Sequence, residues 1–223
     1  MQADAELSRS PSFTPLRHAG LDLSLQSSTT GQAVSNATLY RIAAIAGLGS
    51  ALVLLINAAK RSGLIATTDL TQFLAPVAEI MALGFLTGLF LAFGRRAGLF
   101  GVIAFALHFM SLASLEGVEV VINLVFSKLP VETITELRGG PLGLVLTISS
   151  LLFLFSTLAF VISLAIGKEV PCLPLSLYFL GAVPIALRAF VPELALDLGL
   201  VTLAVGIVWL ARWLWVRAGR ILN

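Results

Sequence analysis

Charge is scarce in this 223-residue chain. Asp, Glu, Lys and Arg together make up 12%, about half their share in an ordinary globular domain, so a water-soluble fold would have too little polar material to cover its surface. Cysteine is nearly absent as well: Cys172 stands alone, which excludes an internal disulfide and a cysteine-rich zinc site. The two histidines, His18 and His108, are too few for a histidine-rich metal centre, and His108 with Glu116 and Glu119 would supply only part of one. No glycine-rich phosphate loop ends in lysine, and neither an HExxH motif nor a nucleophile elbow occurs. The usual routes to nucleotide, zincin and serine-hydrolase chemistry therefore lack their motifs. A net charge of +2 and a pI near 9.0 raise nucleic acid as a partner, but the bases sit at the ends of apolar runs rather than along one soluble face. We expect no nucleic acid, no metal and no cofactor.

What the chain does have is apolar length. Hydrophobic residues make up 58% and the mean hydropathy is +0.99, which places the protein in a bilayer. Six apolar runs lie near residues 40–59, 73–94, 98–127, 142–167, 173–190 and 194–213. Each approximates the roughly 20 residues a helix needs to cross ~30 Å of hydrocarbon, the fifth being short. The runs are continuous rather than alternating, which argues against barrel strands. The expected fold is all-α, a polytopic integral membrane bundle of six transmembrane helices over residues 39–216. A polar, disordered N-terminal tail over 1–38 precedes it and a short tail over 217–223 follows. Residues 1–38 are rich in Ser, Thr and Gln and contain no apolar stretch of the signal-peptide kind.

Lysine and arginine set the expected orientation. If the spans alternate, one side receives Arg9, Arg17, Arg41, Arg95, Arg96, Lys168, Arg212, Arg217 and Arg220, and the other Lys60, Arg61, Lys128, Arg138 and Arg188. Nine bases against five put both termini in the cytoplasm. Trp209, Trp213 and Trp215 mark where the last span leaves the hydrocarbon. Between spans three and four, SKLPVETITELRGGP places Pro130 at a plausible first helical position, with Val131, Ile134 and Leu137 on one face. Either a short interfacial helix ended by Gly139-Gly140-Pro141 or an ordered surface loop fits.

The chemistry is concentrated in HFMSLASLEGVEVVIN, residues 108–123. On a helix at 100° per residue, Glu116, Glu119 and Asn123 fall about 80°, 20° and 60° from His108, so all four share one narrow face. An ionisable group at mid-bilayer costs roughly 2.5 to 3.5 kcal/mol, so such a stripe needs partners or water. Glu119 and Glu116 lie about 13 and 18 Å along the axis from Lys128, and Glu79 about 10 Å from Gln72. Asn57, Glu79, Glu116, Glu119, Arg188 and Asp197 thus come from five spans to similar levels in the outer half, while His108 is deeper. Arg188 is the cation available to these acids. Two readings follow: a network that fixes helix register, or a hydrated outward-facing cavity that binds a ligand or carries protons. Ligand-binding candidates are Glu79, His108, Glu116, Glu119, Asn123 and Arg188. A lone histidine in such a stripe also fits a plain hydrogen-bonding core residue.

Span five carries Gly181 and Pro184, either a plain kink or a bent element that delivers Arg188 to the polar layer. Gly84 and Gly88 in span two, and Ala43, Gly47 and Ala51 in span one, are spaced for close helix contact, within the bundle rather than between subunits.

Glu79 in the second span, Glu116-Gly117 in the third and the loop VPCLPLSLYFLGAV give a likeness over residues 39–216. The chain resembles bacterial membrane proteins of about six helices grouped as a domain of unknown function, and departs from them in carrying Leu112 and Ala113 where they have an arginine. The resemblance implies the fold and a bacterial inner membrane, but no activity. Three functions remain in view. The first is binding or transport of a small amphipathic, lipid-like or isoprenoid ligand. The second is a cofactor-free membrane enzyme of cyclase or isomerase type, with catalytic candidates Glu79, Glu116 and Asp197 and the pair Glu79 and Asp197 in front, since a protonated carboxyl facing an apolar cavity can protonate an alkene. The third is an accessory subunit. Membrane lipids are partners in each, and the oligomeric state is open.

Overall fold

The computed structural model describes residues 35–222, with side chains to Arg220; the tail expected over 1–38 lies, as far as position 34, outside the described residues. Among those described, seven α-helices form: α1 (Asn36–Arg61), α2 (Asp69–Ala92), α3 (Gly98–Val120), α4 (Val131–Gly139), α5 (Pro141–Ile166), α6 (Cys172–Ala186) and α7 (Glu193–Leu222). Local chemistry sets the ends. Ser35 caps α1 by accepting a hydrogen bond from the Thr38 amide at 3.2 Å, and Thr68 and Thr71 form a reciprocal capping box on α2. Gly63, at φ +79°, turns the chain out of α1 in a conformation that a side chain would oppose.

Five helices are long and apolar enough to cross a membrane: α1, α2, the segment Gly94–Lys128 that contains α3, α5 and α7. The protein is therefore an all-α, polytopic membrane bundle. Neighbour follows neighbour as α1, α2, α3, α5, α6, α7 and back to α1, a closed ring of six, while α4 packs mainly on α5. Each long helix is polarised the wrong way round for water. On α1, Ile42, Ile45, Leu48, Leu52 and Leu55 are exposed at three- and four-residue spacing, and Ala43, Ala44, Gly47, Ser50, Ala51 and Leu54 are buried opposite them. An apolar outer stripe with small residues inside is the pattern of a helix solvated by lipid.

Several expected boundaries move. α1 starts at Asn36, ahead of the expected 39, and α7 runs as one helix to Leu222, so the segment 217–222 continues the last helix. α6 ends at Ala186 and is 15 residues long, about 22 Å and so shorter than ~30 Å of hydrocarbon. Pro184 sits inside α6, but the helix does not break at Gly181. The helical reading of 131–139 holds, with Pro130 one residue earlier than expected, at the N-cap rather than the first helical position.

Small residues set the helix spacing. A Cβ on Gly88 would fall 2.2 Å from the Ala43 Cβ, and one on Gly47 would fall 2.5 Å from the Phe85 ring, so the two small-residue series of α1 and α2 face each other within the bundle. Gly181 faces backbone instead. Its Cβ would meet the Leu203 backbone of α7 at 2.3 Å, and backbone cannot swing away as a side-chain tip can. Gly181 is thus the place where α7 is admitted rather than a helix break. Gly181→Val should lower the unfolding free energy by about 1 to 3 kcal/mol, the usual cost of overpacking. Gly117→Ala, whose Cβ meets nothing within 4 Å, should stay near wild type. Thermal unfolding of both variants in detergent checks the contrast.

Candidate functional site

Core side chains are distributed unevenly along the ring. The largest fully buried ones, Phe85, Leu86 and Leu89 of α2, Phe160 and Leu164 of α5, and Leu210 and Leu214 of α7, all belong to the halves near Glu169. In the other half α1 and α2 bury Ser50, Ala75, Ala78 and Ala82 beside the larger Val53 and Leu54. Large residues plug one half of the ring and small ones leave space in the other. The result is a cavity of about 540 Å³, within the roughly 300–1,000 Å³ of small-molecule sites. Its exposed lining residues, Thr67, Ser127 and Arg138, lie at the end carrying the 62–68 loop, so the mouth is there. Leu196 and Ile207 of α7 both line it, which gives a depth of roughly 16 Å at 1.5 Å per residue. Leu54, Leu112, Phe153, Leu200, Leu203 and Ile207 make the walls apolar.

A chain of polar contacts crosses the upper part of this space. Lys60 Nζ donates to Gln72 Oε1 at 2.8 Å and to Asn123 Oδ1 at 3.1 Å, with the Thr71 carbonyl at 3.5 Å. Asn123 Nδ2 donates to Glu119 Oε2 at 2.7 Å and to the Glu119 carbonyl at 3.0 Å. The other carboxylate oxygen, Oε1, takes Arg188 Nη1 at 2.9 Å. Four ring helices meet here: α1 through Lys60, α2 through Gln72, α3 through Glu119 and the residues after it, and α6 through the turn that holds Arg188. Asn123 reaches both neighbours from a π-turn, Val121–Val125, in which one wider turn replaces the regular helix assumed for residues 108–123.

Of the expected ligand-binding residues, Glu79, Glu119, Asn123 and Arg188 line the cavity. Asn57, placed at the same level from the sequence, lines it too. Glu79 and Glu116 have no hydrogen-bond or ion-pair partner among the described residues; both are half-buried, and Glu116 does not line the cavity. Asp197 is also outside the lining. Its Oδ1 faces Arg61 Nε at 3.4 Å, and Arg61 Nη2 is paired with Glu193, so Asp197 is engaged by an arginine rather than set beside Glu79.

His108 lies behind the floor, completely buried. Its Nε2 is 3.0 Å from the Tyr178 hydroxyl, and its Nδ1 is 3.2 Å from Ser156 Oγ and 3.3 Å from Ser111 Oγ. The serine protons are already committed: Ser111 donates to the His108 carbonyl at 2.8 Å and Ser156 to Ser111 at 2.8 Å. The tautomer that satisfies all of these groups has the ring proton on Nδ1, which donates to the serines, and Nε2 accepting from Tyr178. Tyr178, which lines the cavity, therefore spends its proton on His108 and turns a hydrogen-bond acceptor toward the cavity.

Lys60, Arg61, Gln72, Arg138 and Tyr178 were not read as site residues. Lys60, Arg61 and Arg138 look like loop charges in the sequence. The available signal was Asn57 with Lys60 and Arg61 at i+3 and i+4, one face of the last turn of α1.

The Glu119–Arg188 pair is partly exposed, with side chains 17% and 23% accessible, so its coupling is that of a screened pair. A double-mutant cycle with Glu119→Gln and Arg188→Gln should give a coupling of about 0.6 to 1.7 kcal/mol, the range for polar pairs between membrane helices, measured by detergent unfolding. A cycle of Glu116→Gln with Arg188→Gln should give none. No protein-family model, curated protein or solved structure matches this chain, so its own geometry is what speaks for the site.

Proposed function

We propose that the protein binds, or passes across the membrane, a small or lipid-like ligand, and that the cavity between α1, α2, α3, α6 and α7 receives it. The observation that carries this proposal is the cavity itself, with charged groups at its mouth and apolar walls below, a form that matches a molecule with both kinds of surface. A purely structural network would have no need of that volume.

We place α6 as a sixth span and both termini in the cytoplasm of a bacterial inner membrane. Charge asymmetry supports this orientation. The end with Glu169 carries Arg41, Arg95, Arg96, Lys168, Arg212, Arg217 and Arg220 with that one acid, while the cavity end carries most of the described carboxylates. Glu169 is held by Arg96 at 2.6 Å and Arg217 at 2.9 Å, leaving the other bases of that end for lipid headgroups. The mouth then opens outward. The short α6, ending just before Arg188, brings the aqueous boundary down to the polar chain.

The enzymatic alternative now centres on Glu79 alone. It is the one carboxylate of the cavity without a partner among the described residues, and the Tyr178 oxygen shares the same apolar space. Acid chemistry on an isoprenoid would use Glu79 without help from Asp197.

Two experiments test the proposal. With Cys172 replaced, a cysteine at exposed position 135 should react with an impermeant thiol reagent in intact cells and one at position 220 should not; the reverse would invert the cavity. Ala78→Phe should fill the cavity and remove lipid or ligand retained by the wild type in native mass spectrometry, with no loss of monodispersity. Equal retention by the two proteins would mean that nothing binds there.

A further inference from the structure

The cations that line the cavity all stand at its mouth, and they are unequally paired. At the mouth, Arg61 is paired with Glu193 and Asp197, and Arg188 with Glu119. Lys60 meets only the neutral acceptors Gln72, Asn123 and the Thr71 carbonyl. Arg138, on the exposed helix α4, rests its guanidinium 5.6 Å from the centre of the Phe126 ring, and among the described residues no carboxylate pairs with it. Two cations without a direct carboxylate contact, Lys60 and Arg138, thus line the mouth, Lys60 reaching Glu119 only through Asn123. Deeper, the lining carries no cation. Glu79 is seven residues beyond Gln72 on α2, about 10 Å further in. Its carboxyl is unpaired, and the Tyr178 oxygen, its proton committed to His108, adds a second acceptor.

We propose that the ligand is a single-headed anionic amphiphile, a phosphate or carboxylate on a hydrocarbon chain, held with its oxyanion between Lys60 and Arg138 at the mouth and its chain along the apolar wall of Leu54, Leu112, Leu200 and Ile207. It rests on the cavity being a binding site. The cations of the lining stand only at the mouth, and this sets the orientation of the head. The Lys60 protons already serve neutral acceptors, so Lys60 acts mainly as fixed charge, whereas Arg138 has its donors free and makes the direct contact. A lipid headgroup and a free phosphate share this chemistry, and the chain separates them.

The test is native mass spectrometry from neutral detergent, titrating decyl phosphate, decyltrimethylammonium, neutral decyl glucoside and inorganic phosphate. Decyl phosphate should bind about tenfold more tightly than decyltrimethylammonium, one charge-assisted contact being worth about that factor. Arg138→Gln and Lys60→Gln should each erase most of this preference while leaving decyl glucoside unaffected. Leu200→Trp should weaken all three decyl compounds alike. Equal or tighter binding of decyltrimethylammonium would overturn the head-group assignment, with the cavity still credited if Leu200→Trp blocks it. Inorganic phosphate matching decyl phosphate, in wild type and Leu200→Trp, would overturn the amphiphile. Decyl compounds indifferent to both Leu200→Trp and Ala78→Phe would overturn the cavity and this inference together. Arg138 lies on an exposed helix, so Arg138→Gln decides the head-group assignment even if the core variants fail to fold.

Discussion

Asn123 is the joint on which the polar end of this bundle depends. A charge inside a membrane bundle is tolerated when it meets an opposite charge or a well-placed dipole, and the asparagine amide is such a dipole at both ends. Its oxygen takes Lys60 and its nitrogen serves Glu119, which in turn takes Arg188. Cation and anion are thereby linked through one neutral side chain, and α1, α3 and the end of α6 are held at one level. The π-turn around Asn123 belongs to the same device, because a regular helix would set the amide at another angle.

The remainder of the ring is held by close approach. Without a hydrophobic drive between helices in lipid, contact area decides, and Gly88 against Ala43 or Gly181 against Leu203 lets backbones come together. The same economy of size makes the cavity. Ala75, Ala78, Ala82 and Ser50 occupy the level where the other half of the ring has phenylalanine and leucine, and the missing volume stays open below the polar joint. Function and stability are therefore in tension at one place. Filling the alanine level would pack the bundle better and close the site.

His108 shows how a residue conspicuous in the sequence acts at one remove. It stands on the stripe with Glu119, but a second set of helices closes over it, and Tyr178 and Phe153 stand between it and the cavity. Helical spacing assigns His108 an angle on α3. Angle does not say whether a neighbour's side chain intervenes. Glu116 makes the complementary point: one turn from Glu119, it lies off the cavity, because a few tens of degrees on a helix separate a lining position from a flanking one.

By itself the sequence determined the class of the protein and the level of its site. Continuous apolar runs and scarce charge leave no other solvent than lipid, and the spacing of Glu119, Asn123 and Arg188 along their runs puts them at one depth, since rise per residue is a property of any helix. The tertiary structure alone decided which groups pair. Arg188 had four acids within its level and took Glu119; Lys60 and Arg61, which look like loop charges, turned inward; and the two-carboxylate arrangement of Glu79 with Asp197 gave way to Asp197 on Arg61. Pairing depends on the order of helices around the ring and on their rotation, and both are set by contacts between residues far apart in the chain, which no local periodicity encodes.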